Sequence, residues 1–123
     1  MLSKSKIMAF LATKDAARAR PFYEGVLGLP VLSDDDFALV LDAGGTMLRI
    51  QKVPSSNAAA YTALGWEVAD IRATAAALTK KGVAFQRYPH FEQDDLGVWT
   101  APSGARVAWF KDPDGNVLSL TQL

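Results

Sequence analysis

Apolar and polar positions along the chain change their period from two to nearly four and back again, twice over. Residues 6–13 (KIMAFLAT) form an apolar run behind a lysine and predict a strand. Asp15 stands where a helix N-cap belongs, and Ala16 to Val26 places Phe22, Tyr23 and Val26 at helical spacing. Pro21 should kink or shorten that helix. Gly25 and Gly28 stop it, and Leu29-Pro30-Val31 begins an extended segment. Asp34-Asp35-Asp36 reads as a solvated turn. Phe37–Leu41 and Thr46–Val53 then predict a hairpin joined by Asp42-Ala43-Gly44-Gly45. With Leu41 paired to Met47, Leu39 falls opposite Arg49 and Phe37 opposite Gln51. Alternation sends Met47, Arg49 and Gln51 to one face, and Leu48 and Ile50 to the other, where a helix should cover them.

The same order returns after the Pro54–Ala60 linker. Thr62–Ala69 predicts a strand, Asp70 an N-cap, Ile71–Lys80 a helix ended by Gly82, and Val83–Tyr88 a strand. Pro89–Leu96 is a polar loop, Val98–Thr100 is extended, and Arg106–Lys111 and Val117–Gln122 are strands around an Asp112–Asn116 turn. Pairing Lys111 with Val117 sets Trp109 opposite Ser119. The aspartates Asp15 and Asp70, the glycines Gly28 and Gly82, and the hairpin glycines Gly45 and Gly115 recur in one order. Residues 6–53 and 62–123 thus read as two modules of a single 1–123 domain, each strand, helix, then three strands.

Composition narrows the function. Half of the 123 residues are hydrophobic, enough for a packed core. Thirteen basic and thirteen acidic residues leave a formal net charge of zero, which argues against nucleic acid or a membrane surface as partner. With no cysteine, disulfides, thiolate nucleophiles and zinc–thiolate sites are excluded. A single histidine, His90, excludes a two-histidine metal site within one chain. Met1–Lys6 leads into no signal-peptide run and no membrane span is evident, so a cytoplasmic location is expected.

Alternation gathers an apolar, methionine- and aromatic-rich set with a few polar groups: Met8, Phe10, Leu39, Met47, Arg49, Gln51, Glu67, Trp109 and Ser119. Tyr88 and Trp99 flank the polar loop as candidate pocket walls, while Trp66 should pack under a helix. Arg49 either grips a ligand carboxylate or phosphate or forms an internal ion pair with Glu67. Glu67 and His90 are the candidate acid–base groups. Asp112-Pro-Asp-Gly-Asn lacks the further carboxylates of a calcium loop, Gly44-Gly45 lacks a phosphate-loop setting, and no serine triad is spaced.

Arg20-Pro-Phe-Tyr-Glu-Gly-Val-Leu-Gly-Leu-Pro, followed by Trp109-Phe-Lys-Asp-Pro-Asp-Gly-Asn-Val-Leu-Ser-Leu, resembles the vicinal oxygen chelate superfamily of glyoxalases, extradiol dioxygenases and bleomycin-resistance proteins. The resemblance covers nearly the whole chain. It implies an α+β fold of two βαβββ modules, a curved, mostly antiparallel sheet cup with helices outside, and often a homodimer. Catalytic members hold a divalent metal through histidines and a glutamate. The corresponding positions here are Met8, Arg49, Ala63 and Ser119, none of them a carboxylate or imidazole. The expectation is a protein with no metal and no cofactor, binding a small, largely apolar ligand with an acidic or carbonyl-rich end. A lyase, isomerase or dioxygenase with a non-standard site, and a regulatory homodimer with a vestigial cup, are the alternatives.

Overall fold

Both α-helices begin at an aspartate whose side chain accepts from a first-turn amide. Asp15 takes Arg18 N at 3.3 Å and Asp70 takes Ala73 N at 3.1 Å. The computed structural model describes residues 1–123 and divides them into two units, Met1–Asn57 and Ala58–Leu123.

The first unit contains β1 (Met8–Thr13), α1 (Ala16–Arg20), β2 (Val31–Asp34), β3 (Ala38–Ala43) and β4 (Thr46–Lys52). Its sheet order is β1-β4-β3-β2, with β1 parallel to β4 and the other pairs antiparallel. Pro21 has no N–H to continue α1, and Pro21–Val26 widens into a π turn in which Leu27 N donates to Phe22 O at 2.9 Å. Ala19 and Tyr23 are buried there. Arg20 and Lys52 both donate to Asp34, which ties this helical segment and β4 to the end of β2. Lys52 first, then Arg20, holds the Asp34 carboxyl below its ordinary pKa.

The second unit contains β5 (Thr62–Glu67), α2 (Ile71–Lys80), β6 (Trp99–Thr100), β7 (Arg106–Lys111) and β8 (Val117–Gln122). The order β5-β8-β7-β6, with β5 parallel to β8, repeats that of the first unit. Ile71, Ala75 and Leu78 are the buried stripe of α2, which packs on β7 and β8. At the end of β8, Gln122 Oε1 accepts from Ile71 N at 2.9 Å and satisfies a free amide at the start of the helix. The α+β class and the two strand–helix–three-strand modules are as the sequence predicts. No helix is long and apolar enough to cross a membrane.

Two local expectations are corrected. The first hairpin turns on Gly44 and Gly45 alone, both with φ in the left-handed region (62° and 92°), so Ala43 pairs with Thr46. That tighter turn slides β3 by one residue: Val40, not Leu39, lies opposite Arg49, and Ala38, not Phe37, lies opposite Gln51. Leu39 sits opposite Ile50, fully buried on the other face. The second correction is residues 83–88, which form no strand. They run beside β7 with one ladder-like bond there, Gln86 N to Trp109 O at 2.7 Å; β8 takes the opposite edge of β7, and β6 pairs only with Arg106 and Val107.

This register has a direct consequence for stability. Leu39→Ala should cost about 2–5 kcal/mol in urea unfolding. Phe10→Ala, at a side chain 52% exposed, should cost under about 1 kcal/mol.

Candidate functional site

In the second unit, alternation along β7 and β8 sends Phe110, Leu118 and Leu120 to the helix side. Trp66 joins them, stacked 6.5 Å from Phe110. Trp109 and Ser119 therefore share the other face, with Trp99 and Val107 beside them. Ser119 lies against Gly65 so closely that a Cβ there would come 2.5 Å from its hydroxyl, and the serine side chain would have to turn away.

Residues 85–98 fold over this face, and polar side chains bond much of their backbone. Gln93 spends its whole amide on the segment: Oε1 accepts from Tyr88 N at 2.8 Å, and Nε2 donates to Gln86 O at 2.8 Å and Gly97 O at 2.9 Å. Asp94 Oδ1 accepts from Leu96 N and Val98 N, each at 2.9 Å. Arg72 of α2 donates to the carboxylates of Asp94 and Asp95, and Arg87 to their carbonyls. Burial pushes the Asp94 carboxyl up, but the amides of Val98 and Leu96 together with Arg72 outweigh it, and its pKa lies below the ordinary value.

The pinned loop delivers an aromatic cluster. Phe91 lies 4.3 Å from Trp99 and 5.3 Å from Trp109, nearly parallel to the latter at 9°. Tyr88 meets Trp109 edge-on at 5.4 Å, and His90 lies 4.3 Å from Phe91 at the exposed rim. Beside the cluster is a pocket of about 310 Å³ lined by Ala60, Tyr61, Thr62, Tyr88, His90, Phe91, Trp109 and Val117. Its walls are ring faces and aliphatic groups, with one threonine hydroxyl, the tyrosine hydroxyls and one imidazole as polar points.

Of the sequence-predicted residues, the second unit brings Tyr88, Trp99, Trp109 and His90 together. Glu67 is exposed at the end of β5, opposite Thr121, and no hydrogen bond joins it to His90. Phe91, Tyr61 and Gln93 belong to the site as well, beyond the residues the sequence predicts. The aromatic density of Tyr88-Pro-His-Phe91 signals the first, whereas nothing local signals Gln93. In the first unit, Met8, Phe10, Met47, Arg49 and Gln51 share one sheet face, as expected, and Leu39 does not.

The positions matching metal ligands in the resembled family are Met8 and Arg49 in one unit and Ala63 and Ser119 in the other. Arg49 is a fixed cation, and Ala63 is the unpaired residue of a bulge in β5 with no donor atom. No group of three or more His, Cys, Asp or Glu side chains is placed to hold an ion. This donor set does not fit a divalent metal.

The Asp94 clip predicts an acid response. Its folded pKa is depressed, so its contribution is present above the unfolded value of about 4 and is lost as pH falls through the folded value. Fluorescence from Trp99 and Trp109 should be flat from neutrality down to about pH 4 and change below it. Asp94→Asn should bring that change to neutral pH.

Comparison with known proteins places this geometry. The family model described as the Glyoxalase/Bleomycin resistance protein/Dioxygenase superfamily matches residues 6–120. The uncharacterized protein YraH of Bacillus subtilis (strain 168) is 27% identical over 128 residues, covering 92% of this chain and 94% of its own length. Among solved structures, lactoylglutathione lyase from Agrobacterium tumefaciens superimposes with a TM-score of 0.76 at 18% identity, over 98% of this chain and 95% of that one. The bleomycin resistance determinant encoded on the transposon Tn5 gives 0.75 at 21% identity, over 97% and 98%.

Proposed function

Because the chain belongs to the Glyoxalase/Bleomycin resistance protein/Dioxygenase superfamily, we propose that it is a metal-independent member that binds a small, largely apolar ligand. The observation that carries this reading is the aromatic pocket of the second unit. Its rings offer wide, rigid contact surfaces at low entropic cost, and its volume suits one or two fused rings. A planar guest would stack on Trp109 and meet Tyr88 edge-on, with His90 and Thr62 placed to donate or accept at its rim. The mismatch between the donor set and a divalent ion supports binding rather than Lewis-acid chemistry.

Calorimetric titration with 1-naphthol, a neutral fused-ring probe, tests this. Binding is expected with or without EDTA, and Trp109→Leu should weaken it by about 1–3 kcal/mol, the loss of a stacking face together with its buried area. Affinity that vanishes with EDTA and returns with a divalent metal would contradict the reading.

We propose that the working form is a homodimer. Strands β2 and β6 end their sheets as edges, and a second chain is the usual way to cover such edges. Light scattering should give twice the 13.2 kDa chain mass, independent of dilution in the micromolar range. A monomer mass would refute the assembly and leave the pocket untouched.

A further inference from the structure

The first unit carries a second feature that the aromatic pocket does not use. Arg49 lies mid-strand on β4, in the interior of its sheet, between Phe10 of β1 and Val40 of β3. Arg49 is half-buried, and within its own unit no ion pair or side-chain hydrogen bond engages it. Around it the face is apolar yet open: Phe10, Met8 and Met47 are 52%, 48% and 39% exposed. A guanidinium cannot shed its charge, so a half-dry position without a counter-ion calls for one.

The acidic neighbours are already committed. Asp35 feels the Arg49 charge, but its Oδ1 accepts from Phe37 N at 2.8 Å and Ala38 N at 3.0 Å. Asp42, on the same face, accepts from Gly45 N at 2.7 Å. Both raise the negative potential around the arginine without reaching it.

We propose that this face binds an apolar molecule ending in a carboxylate, with the carboxylate held by Arg49 and the tail lying over Met8, Phe10 and Met47. One guanidinium matches one monoanionic, bidentate acceptor. A dianionic phosphate would need a second cation, and the face offers Asp42 instead. The proposal rests on the reading of the chain as a small-molecule binder and adds a separate site for a monocarboxylate.

The probes are octanoate, 1-octanol and inorganic phosphate, read by NMR on the full chain through the Arg49 Nε–Hε signal and the Met8 and Met47 methyl signals. Octanoate should shift all three saturably, octanol should bind roughly tenfold or more weakly, and phosphate should move none of them. Arg49→Met should reduce octanoate affinity to that of octanol, and Arg49→Lys should restore part of it. If Arg49→Met does not fold, the octanoate–octanol difference in the wild type, and its decline with added salt, carries the same test. Equal affinity for octanoate and octanol, or octanoate shifts confined to the tryptophan indoles, overturns the Arg49 site. The naphthol titration is unaffected by either result, so the two readings fail separately.

Discussion

A strand whose alternate side chains are buried has no freedom over where the remaining ones point. In β4 the burial of Leu48 and Ile50 fixes Met47, Arg49 and Gln51 on the opposite face. In β7 and β8 the burial of Phe110, Leu118 and Leu120 does the same for Trp109 and Ser119. Everything proposed about function depends on these second faces. A single residue of slip would bring an aliphatic row outward and drive an arginine and a tryptophan into the core, a cost no hydrogen bond in either unit could offset.

Alternation decides which residues face outward, but it does not build a pocket. In the second unit that task falls to a segment whose only strand-like contacts are a Gln93–Trp99 bridge and the Gln86–Trp109 bond, and which must meet its other backbone groups by other means. Gln93 acts as a surrogate strand, bonding one amide and two carbonyls of its own loop, and Asp94 closes the adjoining turn. Gly97 supports the same turn with φ of 93°, where a Cβ would come within 2.9 Å of Phe85. Arg72 links the clip to α2. The rings of Tyr88 and Phe91 owe their positions to polar groups behind them.

Much of this was legible in the sequence. Asp15 and Asp70 announced the helices, apolar spacing gave Ile71–Lys80 to the residue, and the second hairpin put Trp109 opposite Ser119 because its turn length is fixed by Asp112, whose carboxylate bonds Asp114 N and Asn116 N. The first hairpin misled because two glycines can serve as a complete turn or as part of a longer one, and only the former displaces Leu39. Residues 83–88 have strand composition, but β composition records the fit of side chains to a half-buried surface and not whether a neighbouring edge is free. The metal-poor donor set could be read directly, since it needs only residue identities. The role of Gln93 could not, because its partners are backbone atoms brought near by the fold.

The central claim is that the aromatic face of the second unit holds a planar guest without a metal. The chain has three tryptophans, and Trp66 lies on the helix side of the sheet that carries Trp109. Indole Nε1–H resonances followed by nitrogen-15 NMR during addition of 1-naphthol, with chelator present throughout, separate the two faces. The account predicts that the Trp99 and Trp109 signals move together along one saturation curve while Trp66 stays still. Movement of Trp66 in step with them, or no movement until a divalent metal is supplied, would contradict it.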